Sequence, residues 1–144
     1  MHESAPPNFP PRTLPVMRAL TAIQLGDDTQ QTQLTAALDA LYSEFFVRHT
    51  DLLDQAQLKR ILGAAGQKDV ESLLARASSD AAVKGRLAAN TDEAFARGAF
   101  GLPWMACTDE KGRTEEFWGV DRLAMVADFL GLERPGGGAL RAML

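Results

Sequence analysis

Thiol and imidazole groups are nearly missing from this chain. One cysteine, Cys107, and two histidines, His2 and His49, are spread over 144 residues. A lone cysteine excludes C-x-x-C dithiol redox chemistry and a thiolate metal cluster. Two histidines exclude a histidine-rich metal site and argue against a Ser-His-Asp triad. No metal is therefore expected, and a reduced intracellular protein is the simplest reading. Long apolar runs are also missing. Nothing approaches the ~18 uninterrupted apolar residues of a membrane span, so no membrane association is expected. The start, Met1-His2-Glu3-Ser4-Ala5-Pro6-Pro7, has neither the basic run nor the apolar stretch of a secretory signal. Positive charge is in short supply: 15 Lys and Arg against 19 Asp and Glu leave a net charge of −4. That balance gives no footprint for nucleic acid or an anionic membrane. No internal repeat is present.

What is there is a chain of single-domain length whose hydrophobic content, 46%, suffices for a core. Four prolines within residues 1–12 predict an extended tail. Thr13 is a candidate helix N-cap with Pro15 in the first turn, and Val16, Leu20 and Ile23 form one apolar stripe. Arg18 lies opposite that stripe and reads as a surface residue. Asp28 and Gln31 form a capping-box pattern ahead of Leu34, Leu38, Leu41 and Phe45, predicting a helix to about Arg48. Asp54 caps a shorter helix through Leu58, Ile61 and Leu62. Val70, Leu73 and Leu74 mark another. Ser79 or Asp80 opens a segment through Val83, Leu87 and Phe95 to Gly98, with Asn90-Thr91-Asp92 as a candidate interruption.

The apolar period then changes. Trp104 to Thr108 reads as a strand, Asp109-Glu110-Lys111-Gly112 as a turn, and Thr114 to Trp118 as a returning strand. A helix follows from Asp121 to Leu130, with Leu123, Val126, Ala127 and Leu130 inward, stopped by Gly131. Arg134-Pro135-Gly136-Gly137-Gly138 is a breaker. The fold class is α+β, mostly α, ending in β-β-α. A two-stranded hairpin alone is marginal in water, so this end of the chain reads as half of a larger unit.

Two backbone elements could hold a ligand. Pro103 could expose the backbone amide of Leu102 before it. Local sequence leaves a trans bond before Pro103 in most cases. Gly119, Val120 and Asp121 open the last helix, where unpaired N–H groups favour a carboxylate. Asp121 could accept from an ammonium group or simply cap the helix. Arg122 could neutralise a carboxylate or be solvated. Of Phe117 and Trp118, one belongs in the core and the other could wall a pocket. Trp104 carries the same two readings, and Cys107 reads as a small buried hydrophobe.

The wording Gly98-Ala99-Phe100-Gly101-Leu102-Pro103-Trp104, then Phe117-Trp118-Gly119-Val120-Asp121-Arg122-Leu123, resembles the C-terminal half of kappa-class glutathione transferases. These belong to the DsbA-like thioredoxin superfamily and are close to the 2-hydroxychromene-2-carboxylate isomerases. The likeness runs from about Phe9 to Pro135. It implies a DsbA-type helical domain over residues 13–98, the β-β-α half of a thioredoxin fold over 99–134, an extended tail at 1–12 and a C-terminal tail at 135–144. It also implies a cis bond before Pro103. Glutathione is the implied substrate, contacted by Leu102, Pro103, Gly119, Val120, Asp121 and Arg122, with a small electrophile or peroxide as its partner. The family has Ser-Asp where this chain has Val120-Asp121, so a hydroxyl contact is lost here.

Kappa-like enzymes use a serine early in the fold to stabilise the glutathione thiolate, which lowers the thiol pKa. None of Ser4, Ser43, Ser72, Ser78 and Ser79 stands at a strand-to-helix start, so no catalytic residue is assigned. Three readings follow. The first is a kappa-type transferase represented in truncated form. The second is a non-catalytic glutathione-binding or chain-pairing fragment, with an exposed strand edge favouring such pairing, homodimers included. The third is an isomerase-like protein. The resemblance implies a mitochondrial or peroxisomal setting, with Ala142-Met143-Leu144 matching only the outer positions of a peroxisomal S-K-L signal; otherwise the chain is cytoplasmic.

Overall fold

The computed structural model describes residues 10–27 and 31–132. The expectations for the 1–9 tail, for Asp28, and for the breaker and C-terminus beyond Leu132 lie outside the described residues. Six α-helices and one hairpin follow in the order α1 (Leu14–Gln24), α2 (Thr32–Tyr42), α3 (Gln55–Ala64), α4 (Val70–Ser79), α5 (Ala81–Ala96), β1 (Trp104–Thr108), β2 (Thr114–Trp118) and α6 (Leu123–Leu130). The chain divides into two compact units, residues 1–90 and 91–144.

The first unit is helix on helix. Val16, Ala19, Leu20 and Ile23 of α1, Ala37 and Leu41 of α2, Leu58, Ile61 and Leu62 of α3, and Leu73 and Ala77 of α4 make one buried cluster, which Leu52 and Val83 join. The i, i+3, i+4 spacing of these residues is what lays each helix's apolar face inward. α1 packs on α2 and α4, and α3 packs on the same two helices. Asp54 caps α3 by accepting from the N–H groups of Ala56 and Gln57, at 2.8 and 3.1 Å. Asp69 caps α4 through Ser72 N–H at 3.1 Å. Such caps satisfy donors that have no intrahelical partner.

Four expectations are corrected in this unit. Gln31 is not the third residue of a capped turn; it sits before α2 in the left-handed region at φ 54°. Asp27 supplies the side-chain acceptor instead, taking the Leu34 N–H at 2.7 Å. The second helix does not run on in α geometry, because a π-helical turn, Ser43–Val47, extends it. Asn90-Thr91-Asp92 does not interrupt α5, which is continuous. Arg18 is not a surface residue: it is half-buried, and its Nε is buried without a hydrogen-bond partner among the described residues. Leu14 and Arg18 stand one turn apart on the face of α1 opposite the Val16, Leu20 and Ile23 stripe, and that face meets the α3 and α4 residues that line the same groove.

The π turn is organised by a side chain that periodicity does not reveal. Glu44 is buried. It accepts from Arg48 at 2.6 Å, Thr50 Oγ1 at 2.6 Å, and Arg60 at 3.3 and 3.0 Å on its two oxygens. The Arg60 and Thr50 hydrogen bonds outweigh burial and hold its carboxyl at about 2, well below the ordinary value.

The second unit is a hairpin with one helix. β1 and β2 pair antiparallel, Trp104 opposite Trp118 and Thr108 opposite Thr114. The turn is built on Asp109, whose Oδ1 accepts from the N–H groups of Lys111 and Arg113, both at 2.9 Å, while Oδ2 takes Arg113 Nε at 2.7 Å. Burial pushes the Asp109 carboxyl up, yet the Arg113 and Lys111 hydrogen bonds win and leave it lowered. The Arg113 guanidinium also lies 5.7 Å from the Phe129 ring centre of α6, and Phe129 meets Phe117 of β2 at 5.8 Å. The inward face expected of α6 is only partly covered: Val126, Ala127 and Leu130 are half-buried and Leu123 is exposed. Of the two strand aromatics, Phe117 is buried and Trp118 half-exposed, as strand alternation requires. Trp104 and Cys107 are half-buried.

Candidate functional site

The segment before β1 and the segment after β2 meet at one end of the hairpin, because antiparallel pairing returns the chain to its start. One hydrogen bond seals them: Gly119 N–H donates to Pro103 C=O at 3.0 Å, one step beyond the Trp104–Trp118 pair. The Leu102–Pro103 bond is cis. Leu102 is 83% exposed, and among the described residues its backbone N–H and C=O carry no hydrogen bond. An extended ligand could meet that edge as a further strand would.

Gly119 stands at φ 96° and ψ 150°, a region almost reserved for glycine. A Cβ there would collide with the Asp121 carboxylate. The glycine is therefore needed twice, for its backbone angle and for the space above it. After it, Val120–Arg122 form a single 3-10 turn leading into α6. The first N–H groups of such a turn have no partner within it and face a ligand of negative charge favourably. Val120 is exposed, so its backbone is reachable. Asp121 does not cap the last helix, since neither the 3-10 turn nor α6 has a side-chain cap. Its carboxylate pairs instead with Arg122 Nε at 3.4 Å, and both side chains are about half exposed. The carboxylate can accept from an ammonium group and the Arg122 guanidinium can meet a carboxylate, as a zwitterionic amino-acid head demands.

An aromatic cluster lies beside these groups. The Phe100 ring is 5.5 Å from Trp104, edge-on, and 4.8 Å from Trp118. The Trp118 indole lies against the α-carbon of Gly101, where any Cβ would stand 2.6 Å from Nε1. Gly101 is thus glycine because a ring occupies its side-chain space, which the motif alone does not reveal. Trp104 Nε1 is buried without a partner among the described residues. Residues 91–144 contain no serine and no tyrosine, and the one thiol, Cys107, sits on β1.

A family model described as a DSBA-like thioredoxin domain matches residues 3–131. The chain is 37% identical over 114 residues to glutathione S-transferase kappa 2 of Caenorhabditis elegans, an overlap of 78% of this chain and 49% of that protein. It is 27% identical over 124 residues to glutathione S-transferase kappa 1 of the same organism, covering 86% of this chain and 53% of the relative. The chain therefore spans about half the length of the curated relatives it matches. With a helical unit followed by a hairpin and helix, a cis-proline ahead of the hairpin and a match over most of its length, this chain belongs to the DsbA-like thioredoxin domain family and is similar to the kappa-class glutathione transferases.

Proposed function

We propose that this chain serves a glutathione S-transferase of kappa type, in which glutathione thiolate attacks an electrophilic carbon or a peroxide. Residues 13–98 act as the inserted helical domain and 99–134 as the β-β-α part that grips glutathione. The observation that carries the reading is the 3.0 Å bond from Gly119 to Pro103, which puts the open Leu102 edge and the Val120–Asp121 turn at one end of the hairpin. Leu102 pairs with the cysteinyl backbone, the Val120 N–H meets the γ-glutamyl carboxylate, and Asp121 takes its ammonium group. Arg122 balances the remaining charge.

The thiolate-stabilising hydroxyl is the missing part. No serine of this chain is assigned that role, because none stands at a strand-to-helix start, and purified 1–144 should bind glutathione with little or no turnover. Glutathione titration of the ¹⁵N-labelled chain should shift Leu102, Gly119 and Val120, and Asp121→Ala should weaken it. Val120→Ser should restore a hydroxyl contact worth about 0.5–1.5 kcal/mol, or roughly two- to tenfold in affinity. Shifts confined to other residues, or turnover of a chlorodinitrobenzene electrophile matching a full-length kappa enzyme, would count against this reading. Turnover of a hydroxychromene carboxylate would favour the isomerase-like alternative.

A second reading rests on one observation: Phe117 is the one buried apolar residue between 91 and 132. A hairpin so thinly covered favours completion of its sheet by another chain. Sedimentation of purified 1–144 tests this; a monomer at all concentrations excludes it.

A further inference from the structure

Within the first unit a groove of about 600 Å³ opens between α1, α3 and α4, within the size range of small-molecule sites. Its walls are mostly apolar: Leu14 from α1, Leu58 from α3, Leu74 and Ala77 from α4, and Leu52 from the segment before α3. Arg18 also lines it. Among the described residues this guanidinium has neither an ion pair nor a hydrogen bond, and its Nε is sealed from solvent with no acceptor. A buried donor without an acceptor is rare and calls for an explanation. Among the described residues lining the groove the one acidic side chain, Glu71, accepts from Lys59 Nζ at 2.7 Å, and Lys59 lines the groove too, so these two charges offset each other. The groove therefore presents a single uncompensated positive charge against an apolar wall.

We propose that this groove binds a small monocarboxylate with an apolar body, its carboxylate on Arg18 and its hydrocarbon along Leu58 and Leu74. The guanidinium fork matches a carboxylate's two oxygens, and the bond is charge-assisted. One uncompensated cation fits one negative charge; a dianion would bring a second charge into apolar surroundings without a partner. The site lies wholly in the first unit and does not depend on the glutathione reading.

Decanoate below its micellar range is the probe, titrated into ¹⁵N-labelled 1–144 alongside decanol. Decanoate should shift Leu14, Arg18, Leu58 and Leu74 and bind about tenfold or more tightly than decanol. In Arg18→Gln that preference should vanish while the thermal melt stays cooperative. Should this variant not fold, Ala75→Phe on the exposed wall of α4 carries the test: it should fill the groove and abolish decanoate binding without altering glutathione titration. Equal binding of acid and alcohol, decanoate affinity unchanged in Arg18→Gln or Ala75→Phe, shifts confined to Phe100, Trp118 and Leu123, or no binding up to the solubility limit would each overturn the proposal.

Discussion

The first unit buries fourteen apolar residues in one continuous cluster, whereas among the described residues of the second only Phe117 falls in that class. Yet the second carries the aromatic-rich, glycine-punctuated stretch and the ligand-competent backbone groups. Burial and exposed chemistry are divided between the halves. Stability per residue scales with apolar area removed from water, so the helical half holds its shape through its own core. The hairpin half relies on local devices: the Asp109 turn, the Arg113 contact with Phe129, and the Gly119–Pro103 bond.

The sharpest way to break that comparison is to damage each half by the same kind of change. Leu62 is fully buried in the helical core, and Leu62→Ala should cost about 2–5 kcal/mol in urea unfolding. Met125 on α6 is half exposed, and Met125→Ala should cost below about 1 kcal/mol. Similar losses would mean that the second unit is as well packed as the first. Hydrogen exchange adds a site-resolved check, since amides of α3 should open only with global unfolding while those of β1 and β2 exchange through smaller openings.

Gly119 tests the local devices. Its backbone angles lie where a side chain costs about 1–3 kcal/mol, and the added carbon would displace the Asp121 carboxylate. Gly119→Ala should therefore lower hairpin stability and loosen glutathione together. Loss of glutathione affinity with no change in exchange at β1 and β2 would separate the turn's ligand role from its structural one.

How much of this was legible follows the same divide. Helices with regular apolar spacing, such as the one through Leu58, Ile61 and Leu62, were readable because burial on one face imposes the period. The hairpin was readable from a turn cluster between two short apolar runs, and the cis bond before Pro103 from the motif around it. Glu44 was not, because its three partners, at positions 48, 50 and 60, converge only once the π turn bends the chain. Nor was Arg18 legible: a charge opposite an apolar stripe looks solvated until the neighbouring helices are in place. The ring over Gly101 belongs to the same class, since glycine in a loop signals freedom of φ before it signals a neighbour 17 residues away.

Caps bring a smaller effect. Asp54 accepts two α3 N–H groups, and Asp54→Ala should cost about 1 kcal/mol. Because α3 is in the helical half, the loss should appear in urea unfolding while resonances of Phe117 and Phe129 stay in place. Movement of those rings would mean that the halves share one cooperative unit.

At neutral pH the smallest effect is also the one that compares the halves most directly, since each contains a carboxylate lowered by hydrogen bonds: Glu44 in the first and Asp109 in the second. A carboxyl whose folded value lies below its unfolded one stabilises the fold above the unfolded value. That contribution is lost as pH falls through the folded value. For Glu44 the window runs from its ordinary 4.5 down to about 2; for Asp109 it opens below 3.8. Stability should be flat in pH near neutrality and fall through this acid range, with Glu44→Gln flattening the decline in α2 and α3 and Asp109→Asn flattening it in the hairpin. Carboxyl resonances followed by ¹³C NMR supply the check. If Glu44 titrates near 4.5 in the folded chain, Arg60 and Thr50 do not hold it in solution, and the π turn loses the charge that organises it.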